Sequence, residues 1–167
     1  PIQYRDIVVL LRTVRNWSEI FVEEFTAHGI PAYADTGSGF FKTVEVKIVL
    51  SLLQIIDNPL QDIPLLAVLR SPIASFSAEQ LLDIRLADRN ACMYDALIKL
   101  AQGESECSKK ADLFLKKLDK WRTRSLHMST DELLWYLYGD TGYFAFTGAM
   151  PGGRQRQANL RILFERA

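Results

Sequence analysis

The sequence predicts a mainly α-helical fold with a small α/β part at its N-terminal end, and three observations carry that expectation. Residues 7–11, IVVLL, form a short continuous apolar run rich in β-branched side chains, of the kind that makes a strand covered on both faces. From Thr43 onward apolar residues recur at helical spacing almost to the end of the chain. Two capping boxes, Ser77-Ala-Glu-Gln80 and Ser129-Thr-Asp-Glu132, mark helix starts inside that region, because their side chains reciprocally satisfy backbone donors that have no partner in the first turn.

In chain order, the apolar run at 7–11 ends in Arg12 and Thr13, so a buried segment surfaces on a cation. Asn16 or Ser18 can cap the next helix, along which Trp17, Ile20, Phe21 and Phe25 recur at helical spacing before His28 and a Gly29 placed to end it. A second strand follows at 31–35. Strand, helix and strand in 35 residues have the proportions of one βαβ unit, which needs further strands to complete a sheet. Val46, Val49, Leu50, Leu53 and Ile56 then make a helical stripe that Asn58-Pro59 stops. A short helix at 63–69, capped by Asp62 and closed by Ser71-Pro72, precedes helices near 78–89, 94–100, 111–124 and 130–139. The stretch QGESECSKK separates two of these, and GAMPGG (148–153) reads as a loop before a last helix containing 157–165.

Composition narrows the class. The chain has 167 residues, 49% of them hydrophobic and 24% charged, which suits one globular domain or two pieces of domains and excludes a disordered or fibrous chain. No run approaches the roughly 20 apolar residues of a membrane span, and PIQYRD lacks the layout of a signal peptide, so a soluble, cytoplasmic chain is expected. A start at Pro1 and an end at FERA fit an excised fragment as well as a whole protein. The two cysteines, Cys92 and Cys107, have no histidine at ligand spacing and read as reduced thiols, with no metal site. The formal net charge is zero, yet residues 109–124 hold seven basic and two acidic residues, and residues 154–167 hold four basic and one acidic. Such segregation marks either phosphate-facing surfaces or ordinary solvated helix faces.

Several stretches imitate catalytic motifs. Thr36-Gly-Ser-Gly39 looks like a phosphate cradle, but Phe40-Phe41 stands where a Gly-Lys-Ser/Thr ending is required, so a turn is expected. Asp35 with Glu45-Val-Lys47 imitates a metal-nuclease spacing; on a helix, residues two apart point to different sides and cannot share an ion. His28 and His127 have no nucleophile motif nearby and read as surface or capping residues.

The ordered series LLRT, FVEEFTAHGIPAYADTGSGFFKTVEVKIVLSLLQIIDNPLQDIPLLAVLRSPI over residues 10–73 resembles the start of the second RecA-like domain of superfamily 1 DNA helicases of the UvrD/Rep/PcrA type. Within that group YADTGSGFF, IIDNPLQDIPL and VLRSPI look most like the A-subunit family of the bacterial AddAB ATP-dependent helicase/nucleases, and the similarity continues through TGY at 141–143 to PGGRQRQANLRILFERA. The resemblance implies a partial RecA-like βαβ unit followed by a helical inserted domain, with residues 1–90 the first part of the second RecA-like domain and 91–167 the start of the inserted one. It implies an enzyme that unwinds and processes DNA ends in double-strand break repair and recombination, using ATP and Mg²⁺ in the full-length protein, with DNA and the B subunit of a heterodimer as partners. Arg12 matches the motif arginine expected to reach the γ-phosphate of ATP across the cleft between two RecA-like domains. A planar, permanently charged guanidinium suits that task.

The phosphate-binding loop of such enzymes is absent from these residues, so the chain is expected to hold one wall of the ATP site and to be inactive by itself. On the helix at 111–124, Phe114, Leu115, Leu118 and Trp121 share one face, leaving Lys116, Lys117 and Lys120 to solvent as candidate DNA contacts. The sequence departs from the helicase pattern after Arg12, where VRNWSEIF replaces an N-x-Q-S-R run, and at Ala74-Ser75-Phe76, where relatives carry an Arg-Gly-Ile-Gly turn. The alternative is a free-standing helical interaction module. Its aromatic cluster Trp135, Tyr136, Tyr138, Tyr143, Phe144 and Phe146, with the basic helix, would bind protein or nucleic acid without catalysis.

Overall fold

A computed structural model describes residues 2–13, 17–34, 41 and 43–167, which fall into two compact units, Pro1–Thr43 and Val44–Ala167. The described residues are mostly helical and include no strand.

In the first unit a 3₁₀ turn, Tyr4–Asp6, leads into residues 7–11. The expected strand there does not form a ladder: Val8 is 76% exposed and Leu10 90%. A strand meets its backbone hydrogen bonds only through neighbours, and no described segment of this unit lies in a ladder to supply them. Residues 31–34 likewise join no ladder, and residue 35 lies outside the described residues. Helix α1, Ser18–Ala27, does form. Its N-cap is Trp17 rather than Asn16 or Ser18; Ser18 is the first helical residue, and Asn16 lies outside the described residues. The end is as the sequence indicates. Gly29 adopts φ +70°, and the Gly29 and Ile30 amides donate to the carbonyls of Thr26 and Phe25, the paired bonds of a Schellman cap.

The second unit consists of α2 (Val44–Asp57), α3 (Asp62–Arg70), α4 (Ala78–Ala87), α5 (Met93–Ala101), α6 (Glu106–Ser125), α7 (Thr130–Thr141), α8 (Tyr143–Ala149) and α9 (Gly153–Glu165). Helix α2 packs on α3, α6 and α9. Its most buried stripe is Val46, Val49, Leu52 and Ile55, with Leu50 and Leu53 at its flanks, a rotation of the stripe expected from sequence. Asn58 ends the helix through an Asx turn, its Oδ1 accepting from the Leu60 amide. At Asp62 the cap position belongs to Gln61. The Asp62 carboxylate instead accepts from the Met93 amide (2.8 Å) and Arg85 (3.4 Å), tying α3 to α4 and to the start of α5.

Both capping boxes are in place: Ser77 and Gln80 exchange two 3.1 Å bonds, and the Ser129 amide donates to Glu132 at 3.2 Å. Helix α6 starts five residues before the expected 111, within the stretch read as a polar separator, because Ser105 caps it by accepting from the Ser108 amide. That extension buries Cys107 and Ala111 in line with Phe114, Leu118 and Trp121. Phe114 meets both Phe76 and Trp121 edge to face at 6.4 Å, so this line forms the centre of the core. Helices from both sides of residue 91 share that core. Helix α8 has no counterpart among the elements that the sequence pattern predicts; Gly142, at φ +66°, permits the bend between α7 and α8.

Candidate functional site

Arg12 is exposed and lines an open cavity of about 320 Å³ with Leu11, Thr13, Trp17 and Phe21. The walls are two aromatic side chains from the start of α1 and the end of the apolar run, so a cation stands at the edge of an apolar hollow. Phe21 rests against Phe25, with ring centroids 6.0 Å apart. Arg12 makes no ion pair among the described residues.

The three candidate lysines lie on the solvent side of α6, in different circumstances. Lys116 pairs with Asp112 one turn away at 2.7 Å, and Lys120 pairs with Asp140 of α7 at 2.9 Å. Lys117 is exposed with no ion pair among the described residues. The basic appearance of the segment is further reduced by Lys109 on Glu106, whereas Lys110 and Arg122 keep their charge while donating to the Ser75 and Ile56 carbonyls. Asp140 is a joint between α6 and α7, taking Lys120, the Trp121 indole N–H at 2.8 Å and the Tyr136 hydroxyl at 3.0 Å. Partial burial raises its carboxyl, but the three donors outweigh that and hold it below the usual aspartate range. The Lys120 ammonium is raised by its neighbours Tyr136 and then Asp140.

Glu45, one of the three residues of the imitated nuclease spacing, has a structural setting. Its side chain is 4% exposed and is held by two residues of α9, Arg156 at 2.8 Å and Asn159 at 2.7 Å. Gln155 completes the set on Asn159. Lys47 points to solvent, as the helical geometry requires, and Asp35 lies outside the described residues. Tyr143 lies nearby, its phenol pushed up to about 12 by burial and then by the charge of Glu45. Sequence reasoning missed this joint because its partners stand 111 and 114 positions apart, beyond any local pattern.

The aromatic residues near the end divide in two. Tyr138 and Tyr143 are buried, and the Tyr138 hydroxyl donates to the Leu160 carbonyl. Trp135 is 57% exposed on top of Tyr138, Phe144 and Phe164, at ring distances of 6.3, 6.2 and 5.6 Å. The Arg161 guanidinium stands 5.7 Å from the Phe144 ring centre. His28 caps α1, its Nδ1 lying 2.9 Å from the Glu24 carbonyl, and His127 is exposed. The turn at 36–39 lies outside the described residues. Burial raises the Cys107 thiol, and both cysteines are free. Among the described residues no group of three or more His, Cys, Asp or Glu could hold a metal ion, and no helix is long and apolar enough to cross a membrane.

Residues 1–135 match the UvrD-like helicase C-terminal domain. The chain is 64% identical over 167 residues to the ATP-dependent helicase/nuclease A-subunit of Acetivibrio thermocellus, covering 99% of this chain and 13% of that protein. It is 61% identical over 166 residues to the corresponding A-subunit of Ruminiclostridium cellulolyticum and 59% identical over 166 residues to that of Thermoanaerobacter pseudethanolicus, covering 99% of this chain and 13% and 14% of those proteins. The chain thus spans about one seventh of the length of the relatives it matches. A family match over most of its length, together with this identity from end to end, means that the chain belongs to the UvrD-like helicase C-terminal domain family.

Proposed function

We propose that these residues act as part of an ATP-dependent DNA helicase/nuclease that unwinds and processes DNA ends in double-strand break repair and recombination. The observation that carries the reading is the identity of 59–64% across 99% of the chain to proteins named as A-subunits of ATP-dependent helicase/nucleases. Residues 1–90 belong to the second RecA-like domain and 91–167 to the helical domain inserted in it. Residues 7–11 and 31–35 become strands when the remainder of a sheet supplies their ladder partners; four exposed apolar side chains in a row at 7–10 support this, being costly to leave in water. The DNA substrate and the B subunit engage the longer protein.

Arg12 supplies a positive charge to the γ-phosphate of ATP bound mainly by residues outside this chain. Its exposure at the end of the apolar run and its open hollow support that role, since a guanidinium already satisfied by an acid would have no capacity for a phosphate. ATP supplies the phosphoryl group whose transfer drives the motor. This chain's part is to hold a fork of N–H donors where charge spreads over that group, and Mg²⁺ is held by groups elsewhere in the longer protein. Lys116, Lys117 and Lys120 contribute long-range attraction to DNA, with Lys117 the most available of the three.

Replacing Arg12 tests the reading. In the full-length protein Arg12→Ala is expected to leave nucleotide binding within a few-fold and to lower DNA-stimulated ATP hydrolysis by roughly 10³–10⁵. Arg12→Lys is expected to recover little, because an ammonium lacks the fork geometry. Near-normal turnover of the alanine variant would remove Arg12 from the ATP site.

A further inference from the structure

Besides Lys117 on α6, exposed positive charge with no ion pair among the described residues stands on α9. Arg154 and Arg161 are exposed, make no ion pair among the described residues and, seven positions apart, share one face of the helix about two turns from each other. Arg161 stands over Phe144, one of the rings under the Trp135 platform. The indole is 57% exposed, yet it is fixed from beneath by rings of α7, α8 and α9, and its N–H makes no hydrogen bond among the described residues. Trp121 is the contrast within the same unit: 1% exposed, with its indole N–H on Asp140. A large aromatic face held rigid in water loses little entropy on contact, and Arg161 places a cation over Phe144, a ring that touches the indole.

We propose that Trp135, flanked by Phe144 and Arg161, is a stacking site for an unpaired base of single-stranded nucleic acid, with Arg161 and Arg154 taking neighbouring phosphates. An exposed, supported ring beside unneutralised arginines is the pairing that sequence-tolerant single-strand binding uses: a face for the base and a cation for the backbone. Charge complementarity favours this occupant over a basic protein segment, because Arg154 and Arg161 are exposed with no acid paired to them among the described residues, while Arg156 is taken up by Glu45. Asp131 and Glu132, within one turn before Trp135, are the opposing charges on that side. The inference rests on the reading of the chain as part of a DNA-processing enzyme and adds a place on it where the strand is held.

The test is binding of a fluorescein-labelled oligo(dT) by the full-length protein, read as anisotropy over a salt series, with DNA-stimulated ATP hydrolysis measured alongside. Trp135→Ala is expected to weaken binding about 5- to 150-fold, the range for loss of one stacked base, and Trp135→Phe to recover most of it. Arg161→Gln is expected to reduce the slope of log K against log salt by roughly 0.7. An oligonucleotide carrying 5-iodouracil should crosslink to Trp135 on irradiation. If the wild type binds DNA and is stimulated by it while Trp135→Ala binds equally well and no crosslink maps to α7, the stacking site is overturned and the functional reading stands. The same holds if Trp135→Ala loses only a protein partner. A wild type that neither binds oligo(dT) nor responds to DNA sinks both.

Discussion

Residues 7–10 and the inner face of α2 are equally apolar as sequence, and they end in opposite environments. Ile7, Val8, Val9 and Leu10 are 61%, 76%, 54% and 90% exposed, whereas Val46, Val49, Leu52 and Ile55 are at 1% or less. The difference comes from how each element satisfies its backbone. A helix closes its own hydrogen bonds and asks neighbours only for side-chain contact, which α3, α6 and α9 supply to α2. A strand depends on other strands for every N–H and C=O, and the first unit has none in a ladder among its described residues. Apolar character therefore states that a segment will be covered, and only the partners present decide whether it is.

The contrast can be broken first at the polar joint that closes the second unit. Glu45→Ala should cost about 3–5 kcal/mol, the range for removing one partner of a buried ion pair, because Arg156 and Asn159 lose their acceptor together. Urea unfolding followed by circular dichroism measures it as a lower midpoint at unchanged slope. A midpoint within error of the wild type would mean that the joint adds nothing to the stability of α2. A paired substitution sharpens the comparison itself. Leu52→Ala should cost about 2–5 kcal/mol through lost burial and the cavity left behind, whereas Leu10→Ala in the same chain should stay within about 0.5 kcal/mol. Equal losses at the two positions would show that residues 7–10 are covered in solution.

The smallest expected effect is a pH dependence. The Asp140 carboxyl is depressed in the fold, so its contribution is fully present above the ordinary aspartate value of about 3.9 and is lost as pH falls through the lower folded value. The stability difference between wild type and Asp140→Asn should therefore be constant near neutrality and shrink as the pH drops below about 4. A difference independent of pH would mean that the ionised carboxylate is not what Trp121, Lys120 and Tyr136 recognise.

Much of the helical unit is written locally. Capping boxes at Ser77 and Ser129, the Asn58-Pro59 stop and the apolar line of α6 are signals within a few residues, and each lies where the local pattern puts it. Less legible is anything set by packing. The stripe of α2 is rotated because the elements that cover it arrive from residues 62–165, and α8 escapes a local reading because TGYFAF shows no full helical period. The candidate residues follow the same division. Arg12 stands out as a cation ending an apolar run, whereas the pairing of Lys120 with Asp140 depends on how α6 meets α7. Nor does the sequence say which tryptophan is buried: Trp121 and Trp135 both fall at helical spacing.

The Glu45 joint also has a consequence in time. Its carboxylate emerges during synthesis 111 positions before Arg156, the cation that makes its burial tolerable. At about 5–20 residues per second the ribosome leaves an interval of roughly 6–22 s. Throughout it α2 can pair with α3 and later α6, but the first turn of α2 must keep its acid in water. The nascent chain therefore holds an incompletely closed helix array until α9 is out, with the apolar surface that α9 covers still open to chaperones or to aggregation. Completion of the second unit is a late event, timed by the residue that neutralises Glu45.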